Sequence, residues 1–563
     1  MRKARPQNPA TYALPNSKVP FLAPDVISKV IPSPVDGWDA ISPLAEMDPK
    51  RAPILINWVP RPGYCELRGG YYVANTIQSG DPVETLMVFR TPTQEQMFAA
   101  CGGTIYNASA SGGGFLPSVV TGLSSDRWQY VNFTDQAGTA VLQCVNGADE
   151  LLQYDGTSWT NPVITGLPGG TTAGIINIAL TQQRLWYIMA GTTIAAYMPV
   201  GAITGAIGGT IDVGLLWRHG GYLVTVIAWT IDGGNGPQAY TAFISSRGEI
   251  GLFAGDDPAN ASTWSLVGIF FTSPPLSYRC AQQVGSDVGI ITLQGVLPIS
   301  QVLPFDPSAD RSVALTARIQ NAMAQAAAQA QNNFGWQLIT FPAQQLVILN
   351  VPLIENISQV QFVMNALTGA WCQFNGWNAN CFEIYQEKLY WGGNNGTVNQ
   401  GYIGSSDFAS PIAADMQCAF NWLDEPGRLK RMTMIQPLLN IGASIVPTLA
   451  VDTDFMTSSF VAPVTTYQAG VLWDVAKWDV SMWSTQQVNY INWLSVEAIG
   501  HVMAVRMRVN IATAGVGDTT PGEYDVGYFD TAEYDESSGA FSATLPVLQV
   551  NAFNTIAELG GAI

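Results

Sequence analysis

The side chains able to do chemistry are few and scattered. His219 and His501 are the only histidines, so a catalytic triad or a multi-histidine metal site would have to use one or both. Neither stands beside a nucleophile motif, and the GxSxG, Walker A, HExxH and EF-hand patterns do not occur. Asp474 and Asp479 sit among tryptophans in VLWDVAKWDVSMW (471–483), a pattern that reads as hydrogen-bonded turns beside buried rings rather than as a site. The 42 acids leave room for a glycosidase-type carboxylate pair, but no spacing nominates one. Seven cysteines (65, 101, 144, 280, 372, 381, 418) are odd in number and form no CxxC. They read as free, buried thiols of a reducing compartment, not as a disulfide framework or zinc site. No enzymatic activity, cofactor or metal is expected.

The composition is that of a chain with much to bury. At 563 residues, two to four domains are expected. Charged residues make up 12% against a usual ~25%, while hydrophobic residues reach 47%. A surface this poor in charge suits a large assembly. The net charge of −18 is unevenly spread: residues 1–70 hold nine cations against six acids, leaving +3, whereas residues 432–563 hold three against thirteen, leaving −10. Phosphate neutralisation by the C-terminal part is therefore excluded as a basis for tight nucleic-acid binding. The N-terminus lacks an apolar h-region and no apolar run approaches 18 residues, so neither a secretory signal nor a membrane span is expected.

Strand signals dominate the positioning elements. A unit of apolar strand, tight glycine turn and second short strand recurs at 97–107, 184–197, 242–253, 287–300, 362–374 and 388–402, with a related version at 141–159. Gly103, Gly147 and Gly191 are 44 residues apart, Gly248 and Gly295 are 47 apart, and the 57 residues between Gly191 and Gly248 leave room for a loop. Four-stranded propeller blades repeat at about 40–50 residues. The fold class is therefore mainly β: a β-propeller of about six blades over 36–410, then an antiparallel β-sandwich over 411–563. GDDPANASTW (255–264) is similar to the Asp-box turns of sialidase propellers, which are themselves structural. Residues 312–335, rich in Ala and Gln with Leu315, Ile319 and Met323 as a stripe, predict one inserted helix, for packing or for docking a neighbour.

The seven prolines of residues 1–35 predict an extended arm, of the kind that lies along a partner. The candidates for partner contact are cations: Arg2, Lys3 and Arg5 in the arm, Arg61 and Arg68 in INWVPRPGYCELRGGY (56–71), and Arg428, Lys430 and Arg431 where the repeats cease. The 56–71 stretch reads as the lead-in to the first blade, its prolines at an edge or turn.

DGWDAISPLAEMDPKRAPILINWVPRPGYCELRGGY (36–71) resembles the start of the tail nozzle, or tail tubular, proteins of short-tailed bacteriophages, also described as packaged-DNA-stabilising. GLSSDRWQYVNFTDQAG (122–138), residues 218–270, VMNALTGAWCQF, KLYWGGNNGTV and the final LQVNAFNTIAELGGAI extend the resemblance from about residue 36 to the C-terminus. It implies a propeller with further β-domains, in a virion protein made in the host cytoplasm. The implied partners are copies of itself in a homohexameric ring, an adaptor protein above it and tail fibres, with double-stranded DNA in transient passage. An acidic lumen would let a polyanion slide without sticking. The competing expectation is a propeller that binds or cleaves host-surface glycans, with Trp and Tyr as stacking platforms.

Overall fold

The computed structural model describes residues 25–110, 115–232, 237–302, 313–408, 410–441, 447–457, 466–468, 488–513 and 548–562. Over these residues the chain is mainly β, a propeller joined to a second body of antiparallel sheets.

Each blade grows from a short apolar strand that folds back through a turn onto the next. Blade one is Val83–Arg90, Glu95–Cys101, Thr104–Asn107 and Ser118–Thr121. Blade two is Gln129–Thr134, Ala140–Val145, Leu152–Tyr154 and Trp159–Thr160. Blade three is Ile175–Thr181, Arg184–Met189, Ile194–Tyr197 and Gly209–Asp212. Blade four is Leu223–Asp232, Pro237–Ser245, Glu249–Ala254 and Ser265–Phe271. Blade five has three strands, Ala281–Val284, Asp287–Thr292 and Gly295–Pro298. These five are separate sheets.

Two more antiparallel units lie within a larger sheet that bends nearly closed. Blade six is Gln337–Phe341, Leu346–Ile354, Ser358–Asn365 and Trp371–Phe374. Blade seven is Ala379–Tyr385, Lys388–Gly393 and Thr397–Gly401, completed by Tyr71–Thr76 from the other end of the propeller sequence. The first strands of all seven units line one axial channel, where the glycine spacing pointed to about six blades. The turn glycines have a backbone reason. Gly103 has φ 71° and Gly248 φ 86°, and a Cβ on Gly248 would lie 2.2 Å from the Thr272 carbonyl oxygen.

The expected inserted helix is present but shorter than 312–335. A 3₁₀ turn, Ala317–Ile319, leads into Gln320–Ala330, between blades five and six. Ile319, Met323, Ala326 and Ala330 pack with Ile291 and Val296 of blade five and Val351 and Trp336 beside blade six. This face of the helix is a wedge between blades.

The second body takes strands from both ends of the chain. Arg428–Ile441 and Leu548–Ala562 pair along nearly their whole lengths, and Asp25–Pro32 adds to the far edge of Leu548–Ala562 in full register, from Asp25 opposite Leu559 to Pro32 opposite Ala552. Part of the expected arm is thus a sheet strand, and residues 1–24 lie outside the described residues. The facing layer is built on Ser410–Gln417, Met503–Thr513 and Thr448–Thr453. The propeller therefore begins near residue 71 rather than 36, because residues 54–67 switch between these two layers. Ile54–Ile56 pairs with Ser410–Gln417, and the hairpin Trp58–Arg61/Tyr64–Leu67 joins Leu548–Ala562. Asn57 is the corner, with φ 62°, a conformation Asn tolerates better than most residues. One continuous buried cluster runs from Trp58, Met432, Met507 and Phe553 to Phe374, Trp377 and Trp391 of blades six and seven, so the two bodies share a core.

Candidate functional site

Chemistry-bearing residues do not converge on one point. His219 lies just ahead of blade four, its ring 5.2 Å from that of Phe271, while His501 lies in the second body with Nδ1 3.8 Å from Asp454. Asp474 and Asp479 fall outside the described residues. Among the described residues no three His, Cys, Asp or Glu side chains are grouped as metal ligands, and no helix is long and apolar enough to cross a membrane. All seven cysteines are free and buried, and burial pushes the Cys101 thiol up to about 11 and that of Cys65 to about 12. The Asp-box-like turn is structural: Asp257 accepts Arg184 Nη2 at 2.9 Å.

The proposed contact cations divide by burial. Arg68 is wholly buried and uses all five of its donors. Nε donates to Asn57 Oδ1 at 2.9 Å, Nη1 to Gly69 O and Asp407 Oδ1 at 2.8 Å each, and Nη2 to Asn375 O and Asp407 Oδ2 at 2.6 Å each. Its plane also lies 5.1 Å from the Trp377 ring centroid. One guanidinium thus fastens the 54–67 switch to the end of blade six and to Asp407. Arg61 donates to Glu66 Oε1 at 2.6 Å and to Gln344 O at 2.8 Å. Lys430 is 1% exposed, its Nζ donating to His501 O at 2.7 Å and Arg428 O at 3.1 Å, and burial lowers its pKa. These three, expected at a partner surface, instead bind the chain to itself. Arg428 bonds Gly560 O, and Arg431 pairs with Glu497 at 3.0 Å on the exposed face. Arg2, Lys3 and Arg5 lie outside the described residues.

The feature that local sequence reading missed is the axial channel, a cavity of 610 Å³ walled by all seven inner strands. Side chains cross it. Arg279, just before blade five, donates through Nη2 to Thr85 Oγ1 of blade one at 2.7 Å and to Trp128 O beside blade two at 2.9 Å. Arg127 pairs with Glu84 at 2.9 Å and with Glu355 of the blade-six hairpin. Phe334, from the loop after the inserted helix, lies under both guanidiniums, 4.5 Å from Arg127 and 5.1 Å from Arg279. Further along, the Tyr130 hydroxyl of blade two donates to Glu383 of blade seven, which also accepts Arg90 Nη2 of blade one at 3.2 Å. Burial raises the Glu383 carboxyl above its usual range despite these donors. It also lowers the Arg279 pKa, since that guanidinium makes no ion pair among the described residues. The channel is braced across its width. The only local sign was the position of Tyr278–Arg279 immediately ahead of an inner strand.

A 380 Å³ vestibule lies beyond this brace, sharing Gln129 and Tyr278 with the channel and floored by Phe334.

No family model matches the chain, and no curated protein matches it. Among solved structures, the WD40 β-propeller domain of Doa1 aligns with 59% of this chain and 96% of its own at 9% identity and a TM-score of 0.36. Chaetomium thermophilum Raptor aligns with 59% of this chain and 29% of its own at 10% identity and a TM-score of 0.35. BBS1N, in a complex with ARL6DN, aligns with 61% of this chain and 99% of its own at 8% identity and a TM-score of 0.34. At these scores the propeller assignment rests on the chain's own strand pairing.

Proposed function

We propose that the chain is a structural virion protein: a subunit of the tail nozzle of a short-tailed bacteriophage, assembling as a homohexameric tube that retains and then releases DNA. The observation that carries this reading is the placement of the segments that resemble that family. Residues 36–71 and the final LQVNAFNTIAELGGAI lie side by side, with Cys65 opposite Val550 and Glu66 opposite Gln549. KLYWGGNNGTV belongs to blade seven, which the strand leaving residues 36–71 completes. Three of the resembling segments thus meet where the second body joins blade seven.

The duplex path in this reading runs between copies, because Arg279 bridges the chain's own channel from blade five to blades one and two. Each copy then presents one patch to its left neighbour and a different one to its right, as a closed ring requires. An adaptor ring above, tail fibres and an acidic lumen belong to the same proposal. Native mass measurement with negative-stain imaging of the purified chain tests it. Rings with six-fold symmetry are expected, and a particle of single-chain mass at every concentration tried would overturn the assignment.

A further inference from the structure

We propose that the vestibule at the braced end of the channel is a binding site for a short, neutral saccharide. Its volume of 380 Å³ lies at the small end of the ~300–1,000 Å³ usual for small-molecule sites. Three serines reach it from separate blades or their approaches, and each already has an oxygen lone pair occupied. Ser125 Oγ accepts Arg127 N, Ser246 Oγ accepts Tyr222 N, and Ser277 Oγ accepts Arg279 N, at 3.3, 3.1 and 3.0 Å. These bonds fix the oxygens and leave each hydroxyl proton free to donate.

The carboxamides of Gln129, Gln331 and Asn332 also line the cavity and bond no protein group among the described residues. They supply paired donors and acceptors of the kind that vicinal hydroxyls engage. Tyr222 and Tyr278 stand at the rim, 37% and 41% exposed, with the Phe334 ring below. Aromatic bodies with polar tips suit the mixed apolar and hydroxylated faces of a sugar ring.

Charge excludes the competing classes. Arg127 is the one charged lining residue, and its guanidinium is taken by Glu84 and Glu355, which leaves no free cation for a phosphate or carboxylate. The dominance of hydroxyls and amides disfavours a lipid chain. This site does not depend on the virion assignment.

Saturation-transfer NMR on the intact chain, with maltose, lactose and diacetylchitobiose as separate probes at millimolar concentration, tests the proposal. At least one disaccharide is expected to receive saturation at its ring protons. Tyr278→Ala and the double variant Gln331→Ala/Asn332→Ala are each expected to weaken that binding roughly fivefold or more, about one lost hydrogen bond or ring contact. The two carboxamides of the double variant bond nothing among the described residues, so an unchanged thermal midpoint certifies its fold. Silence from all three disaccharides, binding that neither variant weakens, or competition by inorganic phosphate would each overturn the neutral-saccharide site.

Discussion

The propeller and the terminal-strand body are both largely antiparallel β-structure, yet they are specified differently. Within blades one to four, every strand pairs with one no more than about a dozen residues away along the chain. In the second body, Asp25–Pro32 finds its partner more than 500 residues later. The propeller spreads its stability over seven repeated units, whereas the second body hangs on a central strand and a few polar fasteners.

Removing the central strand should separate the two most. Deleting residues 548–562 takes Leu548, Val550 and Phe553 out of the shared core and strips Asp25–Pro32 and Arg428–Ile441 of their common partner. Limited proteolysis should then cut the second body rapidly while fragments spanning blades one to four persist; equal susceptibility of both bodies would dissolve the comparison. The next largest effect is expected at Arg68. Arg68→Met leaves the Asp407 carboxylate without its guanidinium partner in a buried setting, where breaking one side of such a pair costs about 3–5 kcal/mol. Arg431→Met, on the exposed face, should cost about 0–1 kcal/mol. Chemical denaturation of the two variants measures the gap, and similar midpoints would show that burial does not rank these arginines.

The smallest effects concern two carboxylates of opposite sign. Burial pushes Asp415 up, but hydrogen bonds from Arg506 and Arg508 outweigh it and hold the carboxyl below its usual range. Its contribution to stability is therefore present above the unfolded value of about 3.9 and lost as pH falls through the lower folded pKa. Glu383 in the channel is raised, so its contribution is complete below about 4.3 and lost as pH rises through the folded pKa. Asp415→Asn should thus approach the parent protein in stability as the solution is acidified, and Glu383→Gln should gain on the parent as pH rises from 4. Parallel pH profiles for the two variants would refute the contrast.

How far the sequence could be read follows the same division. The recurring hairpins at 97–107, 141–159, 184–197, 242–253, 287–300, 362–374 and 388–402 fall one to a blade, because a glycine turn between apolar runs is a local instruction. Closure of blade seven by Tyr71–Thr76 has no local signature, so the sequence places the start of the propeller at residue 36. Arg61, Arg68 and Lys430 stood out as cations, but burial depends on what packs over them from distant strands. The vestibule was illegible for the same reason: Ser125, Ser246, Ser277 and Asn332 are ordinary loop residues until the ring of blades gathers them.

The full-register pairing of Asp25–Pro32 with Leu548–Ala562 also sets a clock on biosynthesis. Ser28 leaves the ribosome 528 residues ahead of its partner Ile556. At about 5–20 residues per second, that strand waits roughly half a minute to two minutes with nothing to pair against. During that interval Val26 and Val30, which stay largely exposed even in the finished fold, belong to an open strand edge that another nascent copy can capture. Crowding of nascent copies on a polysome thus bears on single-chain folding in a way that the stability of the finished protein does not.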